Sequence, residues 1–118
     1  MLTDKVKTQI RTIYKDIASA MPQFRSRREQ NYMVAEISKT LAGEYDKQRR
    51  IIVVEAGTGI GKSLSYILGA IPLGIASKKK VCIATATVAL QEQLLHKDLP
   101  FFLQHSGLDF KFGLVQSP

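Results

Sequence analysis

The sequence predicts an α/β fold, a parallel sheet with flanking helices preceded by two N-terminal helices. Three observations carry that expectation. Ile51-Ile52-Val53-Val54 is a short run of β-branched residues, the composition of a strand covered on both faces. A glycine-rich loop, Ala56-Gly57-Thr58-Gly59-Ile60-Gly61-Lys62-Ser63, follows at once and opens into a stretch able to continue as a helix. Two further apolar runs, 81–84 and 110–115, alternate with helical segments, the order expected of parallel strands joined by right-handed crossovers.

The chain has 118 residues, 45% of them hydrophobic, enough for one domain with its own core. Residues 1–50 form a helical lead-in and 51–118 hold the loop and the segments after it. The formal net charge is +7, and residues 1–50 carry eleven Lys and Arg against six Asp and Glu. Such a balance suits a polyanionic partner such as nucleic acid, and it equally suits a plain solvated face. One cysteine, Cys82, excludes an internal disulfide. Lying in an apolar run, it is expected as a small buried strand residue. The first twenty residues have no apolar core of a signal peptide, and no run reaches the roughly 18 apolar residues of a membrane span. A cytoplasmic protein without membrane contact is expected.

Taken in order, Val6, Ile10, Ile13 and Ile17, with Tyr14 alongside, recur at three- and four-residue steps. They predict an amphipathic helix over 3–20, capped by Thr3 or Asp4 and ended by Pro22. A second helix is expected from about Arg27 to Leu41, with Met33, Val34, Ile37 and Leu41 inward and Gly43 as its stop. An amide at its start, Gln30, can pair with an adenine edge through one donor and one acceptor, while Arg27 lies beside it and Phe24 could stack on the base. Without further support both Arg27 and Gln30 also read as ordinary exposed residues. Residues 44–50 form a polar turn into the first strand. The helix from Lys62 meets Pro72, which predicts a kink or an end between Ala70 and Leu73. Ser77-Lys78-Lys79-Lys80 is a charged turn, either solvated or touching a phosphate backbone. Thr85-Ala86-Thr87 precedes a helical pattern at 88–95, where the hydroxyls either cap the helix or seat a backbone phosphate. His96 and His105 stand alone, without metal-ligand spacing.

The chemistry concentrates at residues 56–63. Glycines let successive backbone amides point inward at phosphate oxygens, where side chains would collide. A helix opening at about Gly61 aims its positive end at the same anion. Lys62 supplies a mobile charge for the β- and γ-phosphates, and the Ser63 hydroxyl is placed to ligate Mg²⁺. The bland reading is a glycine-rich turn that binds nothing. The relaxed pattern arises by chance in roughly one in a hundred chains of this length, so a triphosphate site is the stronger reading.

Three separated blocks then point to one family. Arg27-x-x-Gln30, Glu55 through Ser63, and Ala84-Thr85-Ala86-Thr87-Val88-Ala89-Leu90-Gln91-Glu92-Gln93 resemble the first motifs of superfamily 2 helicases of the XPD-like, iron–sulfur branch. Leu41-Ala42-Gly43-Glu44 and Lys97-Asp98-Leu99-Pro100 make the N-terminus of bacterial DinG helicases the nearest likeness. The resemblance implies part of a RecA-like P-loop NTPase domain from an ATP-dependent DNA helicase moving 5′→3′ on single-stranded DNA. It further implies adenine reading by Gln30 and Arg27. The phosphate and Mg²⁺ cradle would be Ala56, Gly57, Thr58, Gly59, Ile60, Gly61, Lys62 and Ser63, with Lys62 and Ser63 serving catalysis. Thr85, Thr87 and Gln91 would touch the DNA backbone. A [4Fe–4S] cluster is implied only outside these residues.

Hydrolysis by this family needs a carboxylate pair after a later strand, and no Asp-Glu pair occurs here. With no cysteine cluster either, the sequence reads as a truncated piece that binds nucleotide weakly, does not turn over and is prone to self-association, from a parent that is monomeric. Two other classes remain open: a small P-loop phosphotransferase, and a non-catalytic module that binds nucleotide or nucleic acid.

Overall fold

The computed structural model describes residues 2–20, 28–53 and 62–113. Its architecture follows from the third helix. After Lys62 the segment SLSYILGAIPLGIA has no charged residue, and a helix that is apolar on all sides must be surrounded. This helix, α3 (Lys62–Ala76), lies at the centre, with Ser65, Ile67, Leu68 and Pro72 sealed from solvent. Around it pack α1 (Asp4–Ala20), α2 (Arg28–Leu41) and α5 (Leu99–Ser106). A short α4 (Val88–Gln93) runs into a π-helical turn, Leu94–Asp98, which leads to α5.

The expected stripe of α1 is the one that is buried: Val6, Ile10, Ile13 and Ile17 face α3 and α5. Thr3 caps the helix, its hydroxyl accepting from the Val6 amide at 3.3 Å. α2 approaches α3 closely at Gly69, where a Cβ would stand 2.9 Å from Ile37 Cγ2 and 3.1 Å from the Val34 carbonyl oxygen. α5 sends Phe102, fully buried, into the centre, and Phe110 packs 6.1 Å from it, ring centre to ring centre.

α2 stops where Gly43 predicts. Gly43 adopts φ +81°, its amide bonds the Thr40 carbonyl at 3.1 Å, and the Glu44 amide bonds that of Lys39 at 3.1 Å. This is the paired closure in which a left-handed residue ends a helix. Arg50 then folds back over the glycine and donates to the Leu41 carbonyl at 3.2 Å. α3 ends in the same way, but with Lys78 at φ 55° in the position a glycine would occupy. The Lys78 amide reaches the Ile75 carbonyl and that of Lys79 the Gly74 carbonyl, at 3.1 and 2.8 Å. Lys78→Gly is therefore expected to raise stability by about 1 kcal/mol, read as a higher urea midpoint, because the left-handed backbone costs lysine and not glycine.

The parallel sheet of the expected α/β, RecA-like architecture is not formed: among the described residues there is no strand, and the fold is an assembly of helices. Residues 51–53 are extended but unpaired, with Ile51 81% and Val53 92% exposed. Residues 79–85 and 108–113 are likewise irregular. The physical reason is that a strand closes no hydrogen bonds within itself. An apolar run marks a segment suited to a sheet, but only a neighbouring strand to pair with makes it a strand. Cys82, expected to be buried in such a strand, is consequently exposed. Pro72 does not end α3, which continues to Ala76; its ring is sealed among the packed helices, and burial of that ring works against the cost of the missing backbone bond. Among the described residues no helix is long and apolar enough to cross a membrane.

Candidate nucleotide-binding site

A helix start leaves its first amides without intrahelical acceptors, and α3 starts at Lys62. Its opening residues therefore carry donors directly after the glycine-rich stretch in sequence, with Ser63 half-buried in that turn. The donor set suits an anion, and a half-exposed hydroxyl in the first turn suits a ligand to a divalent cation. Ala56, Gly57, Thr58, Gly59, Ile60 and Gly61 lie outside the described residues, as does Arg27.

Gln30 sits in the first turn of α2, 3% exposed, and is set at the seam with α1. The Tyr14 hydroxyl donates to its Oε1 at 2.9 Å. The reading of Gln30 as an ordinary exposed residue is thereby set aside. Tyr14 was visible in the sequence only as a member of the α1 face. Its polar tip was the available signal, since a half-buried tyrosine hydroxyl needs a partner.

The third candidate group lies at the entrance to α4. Thr87 is the N-cap, its Oγ1 accepting from the Leu90 amide at 3.2 Å, and the Thr85 hydroxyl donates to the Thr87 carbonyl at 3.3 Å. Capping is thus the local role of Thr87, whose hydroxyl keeps its proton to donate outward. Gln91 is half-buried, and its Nε2 is enclosed without a hydrogen-bond partner. Such an amide carries a desolvation cost that no described contact repays. The described contacts fix Gln30 to α1 and the Thr85–Thr87 turn to the start of α4; they place neither against Ser63.

The turn after α4 has its own electrostatics. Pro100, near the start of α5, has no amide to offer the carbonyl four residues back, and the chain before it widens to the π register, with the Leu99 amide bonding the Leu94 carbonyl. Asp98 at this junction is raised above its ordinary 3.8, chiefly by burial, against the lowering pull of a 3.2 Å bond from Gln93 Nε2 and of the Lys97 charge. A raised carboxyl pKa means that the fold favours the protonated form. Its contribution is full below pH 3.8 and fades as pH climbs through the raised value. Asp98→Asn, which keeps the acceptor for Gln93, should therefore stabilise the chain at pH 7 and remove that part of the pH dependence in thermal melts. Asp46 runs the other way: its carboxylate accepts from the Gln48 and Arg49 amides at 2.8 and 3.0 Å, which hold its pKa below the ordinary value. Its contribution is present at neutral pH and lost as pH falls through the lowered value.

No protein-family model matches the chain. Individual proteins do. It is 52% identical over 116 residues to the ATP-dependent DNA helicase DinG of Photobacterium profundum, an alignment covering 98% of this chain and 17% of that protein. To the protein of the same name in Escherichia coli K12 it is 42% identical over 111 residues, covering 94% of this chain and 15% of the other. The Salmonella choleraesuis protein is 41% identical over 99 residues, 84% of this chain and 13% of its own length. The chain thus spans about a sixth of the length of these relatives. Aligned along nearly all of its length at 42–52% identity with the Photobacterium and Escherichia proteins, the chain is DinG-like.

Proposed function

We propose that this chain is a nucleotide-binding segment of an ATP-dependent DNA helicase that moves 5′→3′ on single-stranded DNA. One observation carries the reading: the sequence Ala56-Gly57-Thr58-Gly59-Ile60-Gly61-Lys62-Ser63 runs into a helix whose first residue is Lys62. The loop amides and the Lys62 ammonium group hold the β- and γ-phosphates, and Ser63 holds Mg²⁺, which neutralises phosphate charge when bound. Gln30, held by Tyr14, and Arg27 read the adenine edge. Thr85, Thr87 and Gln91 meet the DNA backbone, where Thr87 can donate its hydroxyl proton while still capping α4. The identity to proteins named ATP-dependent DNA helicase supports ATP and DNA as the partners of this reading. With no carboxylate pair of the kind hydrolysis needs, the 118-residue chain binds ATP without turning it over.

The test is a titration of the chain with a fluorescent ATP analogue and Mg²⁺. Lys62→Ala is expected to weaken binding by about tenfold or more, since a charge-assisted contact to phosphate is worth roughly 1.5–3 kcal/mol. Unchanged affinity in a folded Lys62→Ala variant would move the nucleotide away from this loop.

A further inference from the structure

Gln30 is held from across the fold. Ile13 and Ile17, near Tyr14 on α1, are sealed in the core, and the Tyr14 ring packs partly buried against the same cluster. α1 and α2 each pack on α3, and Tyr14 reaches over to α2, donating its hydroxyl proton to Gln30 Oε1 at 2.9 Å. A ring fixed by packing delivers its hydroxyl to one place. At 3% exposed, Gln30 can turn its amide over only by giving up a buried hydrogen bond. The two ends of that amide are unlike, since Oε1 accepts and Nε2 donates. Adenine offers N7 as an acceptor and a 6-amino donor beside it, whereas a 6-oxo purine keeps N7 and carries an acceptor at carbon 6. An amide set with Nε2 to N7 and Oε1 to carbon 6 bonds the first at both points and opposes the second oxygen to oxygen.

We propose that Tyr14 is a positioning residue for base choice: by holding Gln30 Oε1, its hydroxyl fixes the sense of the amide, so that the site takes a 6-amino purine nucleotide over a 6-oxo one. A carbonyl oxygen accepts twice, so the bond from Tyr14 is compatible with a second from the 6-amino group. Tyr14 acts through Gln30 and not on the nucleotide. The inference rests on the adenine reading of Gln30 proposed above and adds the residue that sets the direction of its amide. A bond that only tied α1 to α2 would stabilise the fold and leave base choice untouched, and this difference is measurable.

The experiment displaces a fluorescent ATP analogue from the chain, in Mg²⁺, with three competitors. They are ATP, ITP, which carries oxygen in place of the 6-amino group, and inorganic tripolyphosphate, which has no base. The wild-type chain is expected to prefer ATP to ITP by about tenfold or more. Tyr14→Phe, which removes one oxygen and keeps the ring, should cut that preference by about two- to tenfold, the range of one hydrogen bond, and leave tripolyphosphate unchanged. Gln30→Ala should abolish the preference, and adding Tyr14→Phe to it should change nothing further. NMR of the wild-type chain gives a reading independent of any variant: the Gln30 Nε2 and Tyr14 Cζ signals should shift together on adding ATP and stay in place with tripolyphosphate. A preference unchanged by Tyr14→Phe, a loss of affinity equal for all three competitors, or a Tyr14 signal that ignores ATP while Gln30 shifts would overturn the positioning role and leave the adenine reading standing. An ATP preference that survives Gln30→Ala, or is absent from the wild-type chain, would overturn the adenine reading and this inference with it.

Discussion

Replacing Phe102 by alanine is expected to cost about 3–5 kcal/mol, a large part of the roughly 5–15 kcal/mol that holds a domain folded. The ring is completely enclosed, α5 presents it to α1 and α3, and Phe110 packs on it from the extended tail. Truncation removes the filling of the core at the point where these elements meet. The urea midpoint should fall steeply for Phe102→Ala, while Phe102→Leu, which retains most of the volume, should lose roughly 1.5 kcal/mol or less. A loss below about 1 kcal/mol for the alanine variant would contradict the central position given to this ring.

Gly69→Leu should be the next most damaging change, at about 1–3 kcal/mol or more, by overpacking. Two of the atoms facing the missing Cβ belong to the Ile37 side chain, but the third is the Val34 carbonyl oxygen at 3.1 Å, which cannot move without moving α2. The contact therefore separates α2 from α3, the helices that carry Gln30 and Ser63. Gly69→Ala tests the geometry more finely. It gains roughly 0.5–1 kcal/mol of helix propensity and pays for it against the same 2.9–3.1 Å contacts, so a net stabilisation would mean that the helices do not approach as closely as described. Paired thermal melts and ATP titrations of the leucine variant should show both quantities falling together.

The helices were legible because their signals are local. The spacing of Val6, Ile10, Ile13 and Ile17 fixes one face of α1 without reference to anything else, and Thr3 and Gly43 act within a turn of where they stand. The start of α3 at Lys62 was equally readable from the loop before it. What failed was everything that depends on distant partners. Residues 51–53 and 81–84 have the composition of strands, but composition cannot supply the neighbouring backbone, and the described fold has none for them. Cys82 was misplaced for the same reason. An end of α3 at Pro72 was one of the two outcomes the sequence allowed, and the helix runs on to Ala76, because the cost of a missing helical bond is local whereas the burial of the ring comes from the packing around it. At the candidate site, residue types singled out Gln30 and Thr87 as candidates, yet not that Tyr14 from another helix would hold the first. The buried, unpartnered amide of Gln91 has no signature in the sequence at all.

The central claim is that the amides of residues 57–63, with Lys62, close around a triphosphate at the start of α3. Amide-resolved NMR of the 118-residue chain on adding ATP and Mg²⁺ tests it most directly. The account predicts saturable shifts confined to residues 57–63 and the first turn of α3, and their disappearance in Lys62→Ala. Shifts that cluster elsewhere, or that persist unchanged in a folded Lys62→Ala chain, would contradict it.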